Sequence, residues 1–309
     1  MFSDRILVTG ASGVIGRALC KELGEAGYSN VVALSSQSVD LRNEQNTLDV
    51  IKEIKPAVVY HLAARVYGIM GNLHNKAAAF LENTRINTNV IEAAKEAGVR
   101  KIVAMGSSAI YSDSVTLPMT EEQIWVGPPH YSEAAYAHSK RGMLAQLEAY
   151  RDQYGIDFAF CVSTNLYGPH DKFDEKWGHV IPSLISKFYN ANINRGDVTV
   201  WGTGKARRDF LFSEDAAYAM RLIGESFNGP INLATGVTQT IRETVEMISD
   251  ISDFKGEVNW DATKPDGQNL RDYDISKLGS LGFKPRYDLR QGLEKTYSWF
   301  KHNADCARK

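Results

Sequence analysis

The chain has 309 residues, of which 43% are hydrophobic and 23% are charged, and these are ordinary values for a globular protein. Its length suits one large domain or two smaller ones. The net charge of −2 gives no electrostatic reason to expect a nucleic acid or a membrane as partner, and no apolar run is long enough to span a membrane. The three scattered cysteines fit a reducing cytoplasm, where we expect the protein, and predict no metal site.

The first predicted strand, Arg5–Thr9, runs into a glycine-rich turn that opens a helix. Gly10 permits a tight turn, Gly13 lets the backbone approach a phosphate, and Gly16 lets the helix pack close to the strand. The helix N-terminus presents free N–H groups and a partial positive charge to an anion. The turn therefore predicts a dinucleotide-binding site. Glycines that serve the geometry of the turn alone are the other interpretation.

Short apolar runs alternate with helical segments through the first half of the chain. Strands are predicted at Arg5–Thr9, Asn30–Leu34, Ala57–Leu62, Lys101–Met105 and Phe158–Ser163. Helices are predicted at Val14–Ala26, Thr47–Ile54, Ala77–Ala97 and Ala135–Tyr154. This alternation predicts βαβ units and hence an α/β fold with a Rossmann-type, doubly wound parallel sheet. Ligands of such sheets bind at the carboxyl ends of the strands, where the sequence places Gly10, Ala63 with Ala64, Ser107, and Thr164 with Asn165.

A tyrosine and a lysine lie one turn apart in the predicted helix Ala135–Tyr154. Tyr136 and Lys140 are four residues apart and therefore share a helix face. A nearby ammonium group lowers the pKa of a phenol from its ordinary value near 10, which lets the phenol protonate a carbonyl oxygen. Ser107 follows a predicted strand and can hold the same oxygen. We interpret these three residues as a catalytic set for nicotinamide-dependent redox chemistry. The alternative is a surface helix with an incidental tyrosine–lysine pair.

After Gly168 and Pro169 the pattern changes, and it predicts a smaller α/β lobe. Its predicted elements are a helix at His179–Tyr189, a strand at Val198–Trp201 and a helix at Arg290–His302. We expect residues 1–165 to form the dinucleotide-binding domain, with a segment near 205–235 returning to it. Residues 166–204 and 236–309 would form the second lobe, which completes the site with basic and aromatic side chains.

Several segments together resemble the extended short-chain dehydrogenase/reductase family and, more closely, its GDP-L-fucose synthase branch. The general resemblance is carried by Gly10–Gly16, Ser107, Tyr136 and Lys140. The closer resemblance is carried by Gly106–Tyr111, Thr164–Asp171, His179–Pro182, Val200–Gly204, Arg208–Leu211 and Lys264–Gly267. It runs nearly end to end. It implies an NAD(P)-dependent oxidoreductase that acts on a nucleotide sugar, binds that sugar in the smaller lobe and forms a homodimer.

The resemblance also implies roles at individual positions. The catalytic residues would be Ser107, Tyr136, Lys140 and His179. The cofactor would contact Gly10, Ser12, Gly13, Val14, Ile15, Gly16, Ser36, Asp40, Leu41, Ala63, Ala64, Tyr136, Lys140, Thr164, Leu166 and His179. The sugar nucleotide would contact Ser108, Ala109, Asn165, Val180, Lys187, Trp201, Arg208 and Arg271. Core packing of Trp201 and a solvated Arg208 are the structural alternatives.

Two departures from the family pattern bear on the chemistry. An acid after the second strand would bind the adenosine ribose and select NAD, but Leu34–Gln37 contains none. Ser12 and Ser36 occupy the positions where the family's arginines would contact a 2′-phosphate, so we expect NADPH to be preferred to NADH only modestly. Ala109 replaces the family's cysteine, which acts as acid and base for epimerisation beside the sugar ketone.

The expected function is NADPH-dependent C4 reduction of a GDP-linked 4-keto sugar with little or no C3 or C5 epimerisation, because Ala109 cannot transfer a proton. A rival account is that Cys161 or His170 supplies the missing group. Three other functions stay open. They are a bifunctional GDP-L-fucose synthase-type epimerase/reductase, a nucleotide-sugar 4-epimerase with tightly bound NAD, and a dinucleotide-sensing regulator without turnover.

Overall fold

The computed structural model describes residues 3–264 and 267–308, over which strands and helices alternate. The strands are β1 (Ile6–Thr9), β2 (Val31–Leu34), β3 (Val58–His61), β4 (Lys101–Met105), β5 (Asp157–Ser163), β6 (Asn165–Tyr167), β7 (Val198–Trp201), β8 (Arg207–Phe212), β9 (Gly229–Leu233), β10 (Thr238–Thr240) and β11 (Val258–Asp261). The helices are α1 (Val14–Glu25), α2 (Glu44–Ile54), α3 (Gly68–His74), α4 (Lys76–Glu96), α5 (Ala134–Tyr154), α6 (Val180–Asn194), α7 (Ser213–Ser226), α8 (Ile241–Ile251), α9 (Ser276–Ser280) and α10 (Leu289–Asn303).

A six-stranded parallel sheet forms the centre of the larger part of the molecule, in the order β2-β1-β3-β4-β5-β9. The five strands predicted from the sequence all lie in it, with boundaries shifted by at most one residue. The sheet is buried on both faces because its apolar residues point alternately to either side. On β1, Leu7 packs into the core on one face, whereas Ile6 and Val8 pack into the core on the other.

Helices cover both faces of this sheet. On one face α2, α4 and α5 supply core residues such as Ile51, Val90 and Leu144. On the other face α1 and α7 pack against each other and supply residues such as Leu19 and Met220. This arrangement confirms the predicted Rossmann-type, doubly wound sheet. It also brings the carboxyl ends of β1, β3, β4 and β5 to one edge, where a ligand of such a sheet binds.

The smaller part of the fold has two small sheets and a core of its own. β8 pairs with β6 and β10, and β7 pairs with β11. Helices α6, α8 and α10 cover them around a core rich in phenylalanine, with members such as Phe188, Phe210 and Phe300. The predicted helices at His179–Tyr189 and Arg290–His302 correspond to α6 and α10. The boundaries proposed between the two units stay a prediction.

Among the residues that the structure describes, no helix is long and apolar enough to cross a bilayer.

Candidate active site

The four strand ends singled out in the sequence meet at one edge of the large sheet. β1 pairs with β3, β3 with β4, and β4 with β5, all in parallel, so their carboxyl ends lie side by side. Gly10, Ala63, Ser107 and Thr164 follow these four strands within two residues. The structure therefore brings the glycine turn and the proposed catalytic serine to the same cleft.

The turn between β1 and α1 is tight, and its glycines are required. Gly10 has φ +66°, and a Cβ there would lie 2.8 Å from the backbone nitrogen of Ala63. A Cβ at Gly16 would lie 2.3 Å from the carbonyl oxygen of Gly10, whereas Gly13 donates its N–H to that same oxygen over 3.0 Å. The resulting cradle of bare backbone at a helix N-terminus fits a dinucleotide pyrophosphate. The same turn and first helical residues carry Ser12, Val14 and Ile15.

A buried hydrogen-bonded chain lies beneath this turn, and the sequence analysis did not find it. His61 Nε2 donates to Asn87 Oδ1 at 3.1 Å, so its Nδ1 accepts from the Thr9 hydroxyl at 2.9 Å. The Thr9 oxygen in turn accepts the N–H groups of Leu62 and Ala63. Burial lowers the pKa of His61 to about 3, which keeps the ring neutral. The chain fixes the backbone at Ala63, next to the glycine cradle. Ala64 follows and is partly buried.

The proposed catalytic set is assembled at the end of β4 and on the first turns of α5. Tyr136 is 8% exposed and hydrogen-bonds to Ser107. The Lys140 ammonium group lies 5.8 Å from the centre of the Tyr136 ring and donates to the carbonyl oxygen of Met105 at 2.9 Å. The hydroxyl groups of Ser107 and Tyr136 can therefore reach one carbonyl oxygen together.

The electrostatics of this set differ from the sequence-based prediction. Burial raises the pKa of the Tyr136 hydroxyl well above its ordinary value and the charge of Glu133 adds to the rise, whereas the hydrogen bond with Ser107 opposes it. The expected lowering by Lys140 was therefore wrong for this structure. The physical reason is that the Tyr136 hydroxyl is itself buried, which penalises the charged phenolate. Burial also lowers the pKa of the Lys140 ammonium group to about 8.

A buried arginine holds the turn that carries the catalytic serine. Arg141 follows Lys140 on α5 and is 8% exposed. Its Nε and Nη2 donate to the Ile110 carbonyl at 3.0 and 2.6 Å, and its Nη1 donates to the Gly127 carbonyl at 2.8 Å. Sequence reasoning missed this residue.

Arg271 reaches the same turn from the C-terminal part of the chain. Its Nη1 donates to the Ser108 hydroxyl at 3.3 Å, and its Nη2 lies 3.5 Å from Glu133 Oε2. Its Nε also donates to the side chain of Gln268. The predicted contact residues Ser108 and Arg271 are thus brought together beside Ser107. Glu133 was not among the predicted residues.

The end of β2 carries the remaining cofactor candidates. Ser36 is exposed, and Asp40 accepts hydrogen bonds from the side chain and the backbone N–H of Arg42, which hold the pKa of its carboxyl at about 2. Leu41 is buried, and its carbonyl oxygen accepts from Asn89. The sequence analysis missed Arg42, whose guanidinium also lies 3.4 Å from the Glu82 carboxylate and is therefore shared between two acids.

The loop after β5 is fixed from β8. Thr164 Oγ1 and Asn165 Nδ2 both donate to the main-chain carbonyl of Asp209, at 2.9 and 3.0 Å. The Asp209 carboxylate is buried and accepts from the N–H groups of Thr235 and Gly236. Burial nonetheless raises its pKa to about 6. Thr164 and Asn165, both predicted contact residues, are therefore held in place by β8. The half-buried Leu166 directly follows them.

The lobe residues predicted to bind the nucleotide lie at and beyond the start of α6. His179 is the exposed N-cap residue of α6, and Val180 after it is 38% exposed. Lys187 donates to the carbonyl of Thr199, and burial lowers its pKa.

Trp201 is 46% exposed, so core packing does not account for it. Arg208 is half-buried and donates to the carbonyl of Arg207. Pro265 and Asp266 of the segment Lys264–Gly267 lie outside the described residues.

Comparison with known proteins places this geometry in a family. The NAD dependent epimerase/dehydratase family matches residues 6–234. The chain belongs to that family. It is 37% identical to GDP-L-fucose synthase 1 of Arabidopsis thaliana over 309 residues, which cover 99% of this chain and 95% of the relative.

Two solved structures show the same fold. A GDP-L-fucose synthetase from Naegleria fowleri bound to NADP has a TM-score of 0.91 and 32% identity, covering 99% of this chain and 96% of its own. A GDP-mannoheptose C4 reductase from Campylobacter jejuni with NADP bound has a TM-score of 0.87 and 30% identity, covering 97% and 99%. The resemblance seen in the sequence is confirmed. The protein is an NAD(P)-dependent enzyme of the epimerase/dehydratase family.

Ala109, where the chain departs from the pattern of the GDP-L-fucose synthase branch, lies next to the proposed catalytic residues. The Ala109 side chain is 3% exposed and packs with Tyr136, Ala79 and Ala137 next to the proposed catalytic set. Neither residue named as a substitute for the missing cysteine belongs to the cluster that packs around it. Cys161 is fully buried in the core under the opposite face of the sheet.

Burial raises the pKa of the Cys161 thiol to about 12, so this thiol is a poor proton carrier. The His170 ring, for its part, packs on Trp299 of α10 with centroids 4.5 Å apart.

Proposed function

We propose that the protein catalyses NADPH-dependent C4 reduction of a GDP-linked 4-keto sugar with little or no epimerisation at C3 and C5. The observation that carries the proposal is the catalytic set of Ser107, Tyr136 and Lys140 at the same strand edge as the glycine cradle. GDP-sugar enzymes among the relatives and neighbours support the substrate class. The buried methyl group of Ala109 supports the absence of epimerisation.

The residues divide the chemistry between binding and proton transfer. When bound along the glycine cradle, NADPH supplies a hydride to C4 of the sugar. Tyr136 donates its proton to the C4 oxygen, and Ser107 holds that oxygen in place by a hydrogen bond. Lys140 supports Tyr136 from the next helical turn, and its position suits a contact with the nicotinamide ribose. The burial of Tyr136 and Lys140 keeps water away from the reacting carbon.

The NADPH preference follows from the end of β2, which carries no unpaired acid. Asp40 is the nearest carboxylate after the strand, and Arg42 neutralises it through two hydrogen bonds. Repulsion of a 2′-phosphate by Asp40 is therefore reduced, and the exposed Ser36 offers a hydrogen-bond donor to it. NADP in both similar structures supports the same choice. The homodimer and the cytoplasmic location stay predictions.

A panel of GDP- and UDP-linked 4-keto sugars tests the proposal. Each sugar is incubated with the protein and either NADPH or NADH, and the product is identified by NMR. We expect reduction of a GDP-linked substrate at C4, with a higher kcat/KM for NADPH than for NADH. Exclusive turnover of UDP-sugars, or a higher kcat/KM with NADH, would contradict the assignment.

Two other enzymatic functions have distinct outcomes in the same panel. A bifunctional epimerase/reductase would give a product inverted at C3 and C5. A 4-epimerase would retain NAD through purification and form product without added reductant. A regulator without turnover is not supported, because a sensor needs the glycine cradle but not the catalytic set.

A further inference from the structure

A carboxylate and a guanidinium group meet beside the catalytic turn, and neither is needed for the hydride and proton transfers. Glu133 directly precedes α5, three residues before Tyr136, and its side chain is 20% exposed. Arg271 comes from the segment after Gly267, and its side chain is 12% exposed. The pair lies at Ser108, whose hydroxyl accepts from Arg271 at 3.3 Å. Two charged groups are thus largely withdrawn from water at the edge of the cleft.

The geometry of this pair leaves Glu133 free to accept another hydrogen bond. Its Oε2 lies 3.5 Å from Arg271, at the outer limit of a hydrogen bond, and no other side-chain partner of the carboxylate is recorded among the described residues. A carboxylate offers about four acceptor positions. A largely buried ion pair with an N–O distance of 3.5 Å adds little to the stability of the fold. A purely structural role therefore explains the pair poorly.

The position of the carboxylate points toward the substrate. Glu133 is the N-cap residue of α5, the helix that carries Tyr136, and its Arg271 partner also donates to Ser108, next to Ser107. Ser107 and Tyr136 hold the oxygen on C4 in the proposed function. The Glu133–Arg271 pair meets Ser108, the residue after Ser107, and therefore lies beside the position proposed for C4. Of the two carbons bonded to C4, C3 carries a hydroxyl group, whereas C5 carries the ring oxygen and C6.

We infer that Glu133 accepts a hydrogen bond from the C3 hydroxyl of the sugar and that Arg271 orients the carboxylate for it. The inference rests on the proposed function, because it uses the C4 carbonyl as its reference point. It makes Glu133 a specificity-determining residue that selects substrates with a hydroxyl at C3. A hydrogen bond to a charged group discriminates against a ligand that lacks the donor, since the largely buried carboxylate then keeps only its long contact with Arg271.

A cycle of two proteins and two substrates tests this contact. The proteins are the wild type and Glu133→Gln, and the substrates are GDP-4-keto-6-deoxymannose and its 3-deoxy analogue, each with NADPH. We expect Glu133→Gln to lower kcat/KM for the hydroxylated sugar roughly 10- to 100-fold and for the 3-deoxy sugar by no more than about twofold. Equal losses on both substrates would overturn the inference, because a structural role does not depend on the C3 hydroxyl.

Two further variants show whether the effect depends on this particular carboxylate and on its charge. Glu246→Gln removes an exposed carboxylate on α8 and is expected to leave both substrates unaffected. Glu133→Asp keeps the charge and should recover part of the discrimination between the two sugars. Thermal unfolding and NADPH affinity of each variant show whether the fold and the cofactor site are intact.

A binding experiment distinguishes the failure of this inference from the failure of the proposed function. Calorimetry measures the affinity of the NADP-loaded protein for GDP-6-deoxymannose and for its 3-deoxy analogue, neither of which can be reduced. Wild-type protein that reduces no 4-keto sugar refutes the proposed function alone. Binding that favours the C3 hydroxyl in the wild type and not in Glu133→Gln still supports the contact. Equal affinities of the wild type for both compounds refute it.

Discussion

Tyr136 is held in the protonated state that reduction requires. Burial and the charge of Glu133 both raise the pKa of its hydroxyl, so the phenol keeps its proton at neutral pH. A proton donor must begin in this form, whereas oxidation of an alcohol needs the phenolate as base. At neutral pH the tyrosine therefore starts in the form that can donate a proton to a carbonyl oxygen.

Removing this one hydroxyl should stop the chemistry and spare the binding. We expect Tyr136→Phe to lower kcat roughly 10²- to 10⁴-fold, because a positioned general acid contributes that much. NADPH affinity, measured by fluorescence titration, should change little. Tyr154→Phe removes a hydroxyl from the exposed end of the same helix and provides the matched control. Near wild-type turnover by a folded Tyr136→Phe protein would defeat the assignment.

His61 makes stability depend on pH in a defined direction. Its pKa is about 3 in the folded protein and ordinarily 6.5, so the unfolded chain binds more protons between these values. The free energy of unfolding should therefore fall on acidification through this window, by up to about 1.4 kcal/mol per pH unit from this residue. Urea unfolding at about pH 5, 6 and 7 measures the slope.

The matched variants compare slopes rather than absolute stabilities. His61→Gln cannot take up a proton and should show a shallower dependence on pH than the wild type. His302→Gln removes an exposed histidine and should keep the wild-type slope. Parallel slopes in the wild type and His61→Gln would show that the ring does not stay neutral in the folded protein.

At the scale of elements, the Arg141 side chain ties α5 to two chain segments beside the catalytic serine. The Arg141 guanidinium bonds the Ile110 carbonyl on one side and the Gly127 carbonyl on the other. It thereby fixes the distance between the helix that carries Tyr136 and the turn that carries Ser107. Loss of Arg141 leaves the buried Ile110 carbonyl without this donor.

We expect Arg141→Met to destabilise the protein by about 2 kcal/mol and to lower kcat more than it changes KM. The residue would act through Ser107 and Tyr136, so millimolar guanidinium should restore part of kcat in Arg141→Ala. Arg151→Met alters an exposed arginine of the same helix and serves as control. A normal kcat in a destabilised Arg141→Met protein would limit the arginine to a structural role.

Local periodicity explains which elements the sequence could predict. The strands β1 to β5 are short apolar runs between amphipathic helices, and each appears within one residue of its predicted position. β10 (Thr238–Thr240) contains only polar residues and gives no such signal. β9 begins with Gly229 and Pro230, which ordinarily indicate a turn.

The site was predictable where its residues are close in sequence and unpredictable where they are not. Tyr136 and Lys140 share a helix face, and the glycine turn is continuous. Glu133 and Arg271 are separated by 138 residues, and only the folded chain shows that they meet. The raised pKa of Tyr136 was likewise invisible, because burial depends on packing around α5 and not on the spacing of its residues.

At the scale of the whole molecule, the site combines residues from both parts of the fold. Ser107, Ala109 and Tyr136 belong to the part built on the large sheet, whereas His179 begins α6 in the smaller part. Epimerisation beside a ketone removes a carbon-bound proton from one face of the sugar and returns a proton to the other face. It usually needs an acid and a base on opposite sides. Each part of this molecule would have to supply one of them.

The sheet side lacks such a group in this chain. Ala109 offers a buried methyl group, and Cys161 is sealed in the core under the other face of the sheet. His179 is exposed at the start of α6 and could serve as one partner, with water as a poor second. We therefore expect reduction at C4 to proceed while the configurations at C3 and C5 are kept.

Reaction in deuterium oxide tests this expectation directly. GDP-4-keto sugar and NADPH are incubated with the protein in deuterium oxide, and NMR locates deuterium in the product, with a protein-free sample measuring spontaneous exchange. We expect little label at C3 and C5, and we expect Ala109→Cys to gain it, because a thiol there can carry the proton that a methyl group cannot. His179→Gln in the Ala109→Cys background should remove the gain if the two groups act from opposite faces. Efficient, protein-dependent labelling of both carbons by the wild type would show that another side chain performs the transfer and that the chain epimerises its substrate.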